Sequence, residues 1–329
     1  MTEERTAGRL SAERWRAEIA PVFAVRPPAD GGESEIGGAI IRHHLGAAVV
    51  GEVEASAQGY LRSEQLIGAV GVDHLLVQVY RAGRTVLEID GREIEAGPGD
   101  VLFFDLSRPV HSQATAMRAI NMVLPRALLD LDADTLDGAH GTVLKGASGA
   151  GSLAGQHLQS LLATAPALTG PAAGGIVKAS AGLLAACLAP ALRRERDAPA
   201  TLTATLATIC RFIDREIGNP DLDAALLCSA FGLSRSALYR LFAPVGGVAE
   251  YIRRRRLARA RLALNTVPPG RGGIGRIARQ FGFSSDDAFA RAFKVRFGVA
   301  PREALQLRAL PPAQAEEDSL TDWLRRLSW

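Results

Sequence analysis

Aromatic residues make up only 5% of this 329-residue chain, cysteines number three, and lysine supplies just 3 of the 38 cations. Each shortage excludes something. Cys187, Cys210 and Cys228 stand 23 and 18 residues apart among Ala, Leu and Ile, a spacing that suits neither a metal knuckle nor a disulfide framework. They read as small core residues. No long, clean hydrophobic run is present: the most apolar stretch, 176–192, is interrupted by Lys178, Gly182 and Pro190 and falls short of the roughly 20 residues a membrane span needs. Residues 1–10 alternate charged and polar types without an apolar segment, so no signal peptide is expected. These absences predict a soluble, cytoplasmic protein with no membrane contact. The arginine bias fits a GC-rich genome and carries no functional weight. What remains is ordinary globular material, 47% apolar and 22% charged, in a length that suits two domains.

Charge is unevenly spread. Residues 201–310 hold 18 Lys and Arg against 8 Asp and Glu, a net of +10, while the rest of the chain nets −7. A basic carboxy-terminal third points to a polyanionic partner, because arginine-rich surfaces bind phosphate backbones by releasing condensed counterions.

Between residues 39 and 124, short apolar runs (39–45, 47–53, 75–80, 86–89, 101–104 and 120–124) are broken by Gly, Pro and Asp. A spacing near ten residues implies a barrel or sandwich. The stretch 89–104 reads as a hairpin turning at Asp90-Gly91, then a Pro98-Gly99 turn into a buried strand, the construction of a cupin-like jelly roll. From residue 153 to 192 the periodicity becomes helical, with Thr169 to Gly175 expected as the break in a helical hairpin. Its leucine-rich stripe packs either on the barrel or on a second subunit. Residues 193–200 form a polar, Pro-containing linker, which places the domain boundary at 195/196.

The basic third contains an internal repeat. Cys228-x-x-Phe231-Gly232-Leu233-Ser234 recurs 50 residues later as Ala278-x-x-Phe281-Gly282-Phe283-Ser284, and Arg240-Leu-Phe242 recurs as Arg291-Ala-Phe293, by then offset by 51. Each copy has the physics of a helix-turn-helix. A small residue lets two helices approach, Gly232 or Gly282 makes the sharp turn, and Ser234 or Ser284 caps the second helix. Between the copies, 248–264 has apolar residues at helical spacing and six arginines, at 253–256, 259 and 261. That helix spans about 25 Å, enough to set two reading helices near one DNA turn apart, with its arginines on phosphates.

On these residues the sequence resembles the AraC/XylS family of bacterial transcription regulators. The resemblance rests on Gly232-Leu-Ser-Arg-Ser-Ala-Leu-Tyr-Arg-Leu-Phe242, Tyr251-Ile-Arg-Arg-Arg-Arg-Leu257, Ile277-Ala-Arg-Gln-Phe-Gly-Phe283 and the closing Arg291-Ala-Phe-Lys-Val-Arg-Phe-Gly-Val-Ala-Pro301. Residues 61–128 are similar, more loosely, to the cupin-like sensor domain of one subgroup. The resemblance implies an α+β chain of two domains. Residues 1–195 would form a cupin-like barrel with a helical hairpin, serving effector sensing and dimerisation. Residues 196–310 would form an all-α DNA-binding domain of two helix-turn-helix motifs joined by a long helix, leaving 311–329 as a tail. It implies a sequence-specific regulator, an effector-responsive activator of a catabolic operon, with double-stranded DNA, a small-molecule effector, RNA polymerase and a second copy as partners. Arg235, Ser236, Tyr239 and Arg240 would face DNA from the first motif, Ser285, Asp286, Asp287 and Arg291 from the second, and Arg253 and Arg254 from the connector. Arg240 and Arg291 suit guanine, whose O6 and N7 accept a bidentate guanidinium. Asp286 and Asp287 depart from the neutral residues usual there; they accept from cytosine, cap the helix, or weaken the second contact.

For the barrel, no metal, cofactor or catalytic residue is expected. Adjacent strand residues point to opposite faces, so His43 and His44 cannot share one interior site, and His74 and His111 are isolated. Residues 68–71 are too poor in glycine for a phosphate loop. The pattern does not identify the effector-binding residues. The rival is an enzyme fused to a DNA-binding domain: a metal-dependent cupin-type enzyme would need a closely spaced histidine pair that the sequence lacks, and a DNA-alkylation-repair protein would need the alkyl-accepting Pro-Cys-His-Arg motif, which is also absent. Finally, residues 268–277 are rich in glycine, so the second motif is expected to be the looser one and Gly275→Ala to tighten binding.

Overall fold

The strand at Val101–Asp105 is buried at all five positions, which requires cover on both faces of its sheet. Its alternate residues go to two different cores. Leu102 and Phe104 face one and Val101 and Phe103 the other. The computed structural model describes residues 3–5, 9–28, 36–197, 206–266, 273–309 and 324. Among them the amino-terminal domain runs β1 (Glu3–Arg5), α1 (Ala12–Ile19), β2 (Ala24–Arg26), β3 (Gly38–His44), β4 (Val49–Ala55), β5 (Gln58–Arg62), α2 (Glu64–Val70), β6 (Leu75–Ala82), β7 (Thr85–Ile89), β8 (Arg92–Ala96), β9 (Val101–Asp105), β10 (Val110–Ala114), β11 (Met117–Leu124), α3 (Ala133–Asp137), β12 (Val143–Leu144), α4 (Gly149–Thr164) and α5 (Gly170–Asp197). A seven-stranded sheet, β1-β3-β4-β11-β6-β9-β12, faces a five-stranded one, β2-β5-β10-β7-β8. The core between them is the barrel interior.

The second core lies between the outer face of the large sheet and the α4–α5 hairpin, whose stripe Ala154, Leu158, Leu161, Val177, Ala181, Leu184 and Leu188 is buried there. The leucine-rich stripe therefore packs on the barrel. Its break is shorter than the sequence implies, because α5 already starts at Gly170 with Pro171 in its first turn, where proline's missing N–H goes unused. Among the described residues α5 is the one helix long and apolar enough to cross a membrane, and half of that stretch is buried inside the protein. The 195/196 division falls in its last turn.

The expected hairpin turn is present: Asp90 and Gly91 both have positive φ, at 51° and 69°, between β7 and β8. The carboxy-terminal domain comprises α6 (Leu206–Arg215), α7 (Ala224–Phe231), α8 (Arg235–Phe242), α9 (Val248–Thr266), α10 (Gly273–Gln280), α11 (Asp286–Phe297) and α12 (Pro301–Ala309). Of the glycine-rich opening to the second motif, residues 267–272 lie outside the described residues, as does most of the 311–329 tail. Its Leu324 is fully buried with the barrel core, and its carbonyl lies 2.6 Å from His74 Nε2.

Candidate nucleic-acid interface and effector cavity

Each repeat folds as two helices around a glycine in the left-handed region. Gly232 (φ 62°) closes α7, and the Ser234 hydroxyl accepts from the Ala237 N–H at 3.2 Å to start α8. In the second copy Gly282 (φ 72°) makes the same turn, but the cap is Ser285, which accepts from the Ala288 N–H at 3.1 Å. The expected cap, Ser284, is displaced because this copy carries one extra residue after the turn. Asp286 and Asp287 follow as first-turn acids beside the positive end of α11, and neither caps it. Leu238 and Phe242, and in the second copy Phe289, Ala292 and Phe293, are buried against the connector α9.

Arg235, Ser236, Tyr239 and Arg240 are all exposed on α8, and Ser285, Asp286, Asp287 and Arg291 are exposed at and along α11. Tyr239 is 52% exposed although it is large and partly apolar. Both helices thus present a free polar face of the kind that enters a major groove.

The connector departs from its expected role. Of its six arginines only Arg253 is exposed. Arg254 donates to the Val245 carbonyl at 2.8 Å and its guanidinium stacks over Tyr251, turned into the cleft between the domains. Arg255 bonds Asp214 and ion-pairs with Asp137 at 3.4 Å, Arg256 donates to the Asn219 carbonyl at 2.9 Å, Arg259 ion-pairs with Asp137 at 2.7 Å, and Arg261 donates to the Ile67 carbonyl at 2.9 Å. Three of these guanidinium groups are therefore spent on the amino-terminal domain rather than on phosphates. A run of arginines on one helix reads as a phosphate face in sequence, because the acidic neighbours that neutralise it, Asp214 and Asp137, come from 41 and 118 residues before Arg255.

Asp137 is the centre of that contact. Arg126 reaches its Oδ1 at 3.0 Å, Arg255 and Arg259 share its Oδ2, and Arg108 donates to its carbonyl at 3.0 Å while pairing with Asp90 at 2.8 Å. Arg126 also bonds Asp105. Burial alone pushes Asp105 up, but Arg126 and the Ser107 hydroxyl and amide outweigh it and bring its pKa down to about 2. His140, buried beside these groups, accepts from the Asp105 N–H at 3.1 Å and lies 3.2 Å from the Pro109 carbonyl. Burial, with Arg108 second, pushes its pKa down to about 3.

Between the two sheets lies a cavity of about 90 Å³ lined by Phe23, Tyr60, Tyr80 and Phe104, by Ile40, Val53 and Met117, and by Arg42, Gln78, Ser112 and Asn121. Its polar groups are arranged in a relay. Tyr80 donates to Gln78 at 2.7 Å and Gln78 to Asn121 at 2.8 Å, while Arg42 pairs with Glu18 of α1 at 2.7 Å. Burial pushes the phenols of Tyr60 and Tyr80 up, so both stay neutral. The sequence showed most of these strands but not the cavity, because which side chains of separate strands converge is set by how the two sheets pack; β5 and β10, which supply Tyr60 and Ser112, are also too polar to announce themselves. The histidines are elsewhere: His111 is exposed on β10 opposite Glu88, His43 is buried opposite Val50, and among the described residues no three His, Cys, Asp or Glu converge on a metal position.

A jelly roll joined to paired helix-turn-helix units is the architecture of one regulator family, and residues 16–189, more than half of the chain, match its AraC-binding-like domain. The chain belongs to the AraC/XylS family of transcription regulators. Residues 227–306 match a helix-turn-helix domain. The transcriptional activator NphR of a Rhodococcus species is 25% identical over 257 residues, covering 77% of this chain and 76% of that protein. The crystal structure of the AraC-like transcriptional activator CuxR is 29% identical and covers 78% of this chain and 95% of that one, with a TM-score of 0.52. As an AraC/XylS regulator the protein is a sequence-specific DNA-binding protein with an effector-sensing amino-terminal domain.

Proposed function

We propose that the protein activates a catabolic operon in the cytoplasm, working with RNA polymerase, when a compact and mainly apolar metabolite fills the cavity between the two sheets. One observation carries this reading: a mainly apolar cavity touches Phe104, and the next residue, Asp105, holds Arg126, which holds Asp137 at the junction with the DNA-binding domain. An effector that moves Phe104 alters that junction, and coupling requires only that it bind one arrangement better than the other. The apolar lining favours a small ring or short chain, and Gln78, Asn121 and Arg42 receive its polar end. The barrel is a binding module, not an enzyme; purified protein should hold no stoichiometric metal.

DNA is read by Arg235, Ser236, Tyr239 and Arg240 of α8 and by Arg291 of α11, with Arg253 on a phosphate and Arg254 kept for the cleft. Ser285, Asp286 and Asp287 set the entry of α11 into its groove. A second copy joins through the outward face of α5, where Gly175, Ala179, Gly182 and Ala186 are exposed, and light scattering should report a dimer.

The deciding experiment uses the full chain with the DNA upstream of its own gene. Arg240→Ala should weaken binding there by about 1 to 3 kcal/mol and weaken binding to random DNA far less. Phe104→Trp, which fills the cavity, should abolish the response to effector and leave DNA affinity in place. Equal losses on both DNAs would demote Arg240 to a phosphate contact, and an intact effector response in Phe104→Trp would remove the cavity from the mechanism.

A further inference from the structure

The two helix-turn-helix units do not share a core. The first packs Ile209, Leu227, Leu238, Phe242 and Tyr251 together, and the second packs Leu257, Leu264, Ile277, Phe289 and Phe293. The connector α9 contributes its amino-terminal half to one and its carboxy-terminal half to the other. Beside it a groove of about 410 Å³ separates the start of α7 from the turn before α11. Arg256 spans this groove, donating to the Asn219 carbonyl on one side and lying against Gly282 on the other. Two bodies joined mainly by one helix can bend and twist relative to each other.

The amino-terminal domain grips each of them separately. At the first unit, Asp137 takes Arg255, Arg255 also holds Asp214 of α6, and the Asp90–Gly91 turn abuts Leu206, while Arg259 carries the Asp137 contact on to the second half of the connector. At the second unit, α2 inserts. Ile67 is 1% exposed and belongs to the core of the second unit, not to the barrel. Gly68 sits so close that a β-carbon on it would lie 1.9 Å from the Phe297 carbonyl at the end of α11, and Glu64 pairs with Arg296. The grip leaves both DNA-facing surfaces exposed, so it does not work by covering them. Buried ion pairs add little net stability compared with apolar packing, and their best-attested use is to specify one geometry over its neighbours.

We propose that the sensor domain sets the half-site spacing of the operator: Asp137 and the Ile67–Gly68 plug are positioning residues that fix the separation and mutual rotation of α8 and α11. The proposal rests on the assignment of these two helices as the DNA readers. It makes the spacing tolerance a property of the domain contact, while base preference within each half-site stays with α8 and α11.

The test selects binding sites from a randomised duplex library with the full chain and with Asp137→Asn, Gly68→Ala and the double variant. Wild type should recover two motifs at one separation. The variants should recover the same motifs over several separations. Inserting one base pair between the motifs moves the second by about 3.4 Å and a tenth of a turn. It should cost wild type at least about 30-fold in affinity and the double variant less than about 5-fold. An equal insertion penalty in both proteins, or several separations for wild type, overturns the proposal. Absence of any selected motif with folded wild type overturns instead the DNA-reading assignment beneath it.

A second measurement needs no DNA, and its deciding arm needs no core variant. Spin labels at Tyr239→Cys and Val295→Cys, on exposed sites in a Cys228→Ser background, should give one narrow distance distribution in the full chain. The distribution should broaden in Gly68→Ala. A broad distribution in the labelled chain without Gly68→Ala refutes the clamp even if every library variant misfolds.

Discussion

A β-carbon placed on Gly275 would lie 2.6 Å from Asp286 Oδ2, so buried Gly275 in the first turn of α10 packs directly against the first acid of α11. Gly275 is therefore a close-approach glycine, and the expectation that alanine there tightens DNA binding gives way to a packing argument. Asp286 is exposed and can swing, which limits the cost to the loss of that contact. The helix-propensity gain of alanine is at most about 1 kcal/mol and smaller in a first turn.

Gly275→Ala is thus expected to shift folding stability by less than about 0.5 kcal/mol in urea melts. Gly275→Val, which adds branches that the α10–α11 contact cannot admit, should cost about 2 kcal/mol or more. A valine variant as stable as wild type would show that the two helices part easily.

The serine at the start of α11 gives a sharp comparison. Ser285→Ala removes the hydroxyl that accepts from Ala288 and should cost about 1 kcal/mol, as should Ser234→Ala at α8. Ser284→Ala, one residue away, should be near neutral. Thermal melts that rank Ser284 above Ser285 would contradict the capping geometry.

Salt dependence separates the connector arginines. Neutralising one phosphate contact lowers the slope of log K against log salt by about 0.9. Arg253→Ala should show that loss in the full chain. Arg254→Ala, whose side chain holds Val245 and stacks on Tyr251, should leave the slope unchanged even where it weakens binding. A matching slope loss for Arg254 would place it on the DNA.

The domain junction should be acid-sensitive. His140 has a lowered pKa in the fold, so the neutral ring's contribution is complete above its unfolded value of 6.5 and is lost as pH falls toward about 3. Asp105 also titrates low, and its contribution is lost in turn between 3.8 and about 2. Each group costs about 1.4 kcal/mol per pH unit inside its window. Urea midpoints should therefore fall between pH 7 and 5, and His140→Gln should flatten that fall. A midpoint independent of pH over this range would refute the assignment.

The carboxy-terminal repeat was legible because its information is local. A glycine with positive φ, a capping serine and aromatic residues at helical spacing act within one turn of chain, and Gly232, Ser234, Leu238 and Phe242 sit where their spacing puts them. The barrel was legible at its most apolar strands and at the Asp90–Gly91 turn. It was not legible at β5 or β10, where buried polar residues such as Gln58, Arg62 and Ser112 break the apolar pattern, nor at α2, although Ser63 as N-cap and Gly71 as a left-handed C-cap mark α2 for a reader who looks for caps. By itself, then, the sequence determined the two-domain fold, the paired helix-turn-helix repeat and the family, all of which rest on short-range backbone and packing preferences. Only the tertiary structure decided what the connector arginines touch, that Ile67 leaves its own domain for another's core, and where a cavity opens between the two sheets. Those depend on charges and shapes brought together from distant parts of the chain, and a guanidinium has the same sequence signature whether it meets a phosphate or Asp137.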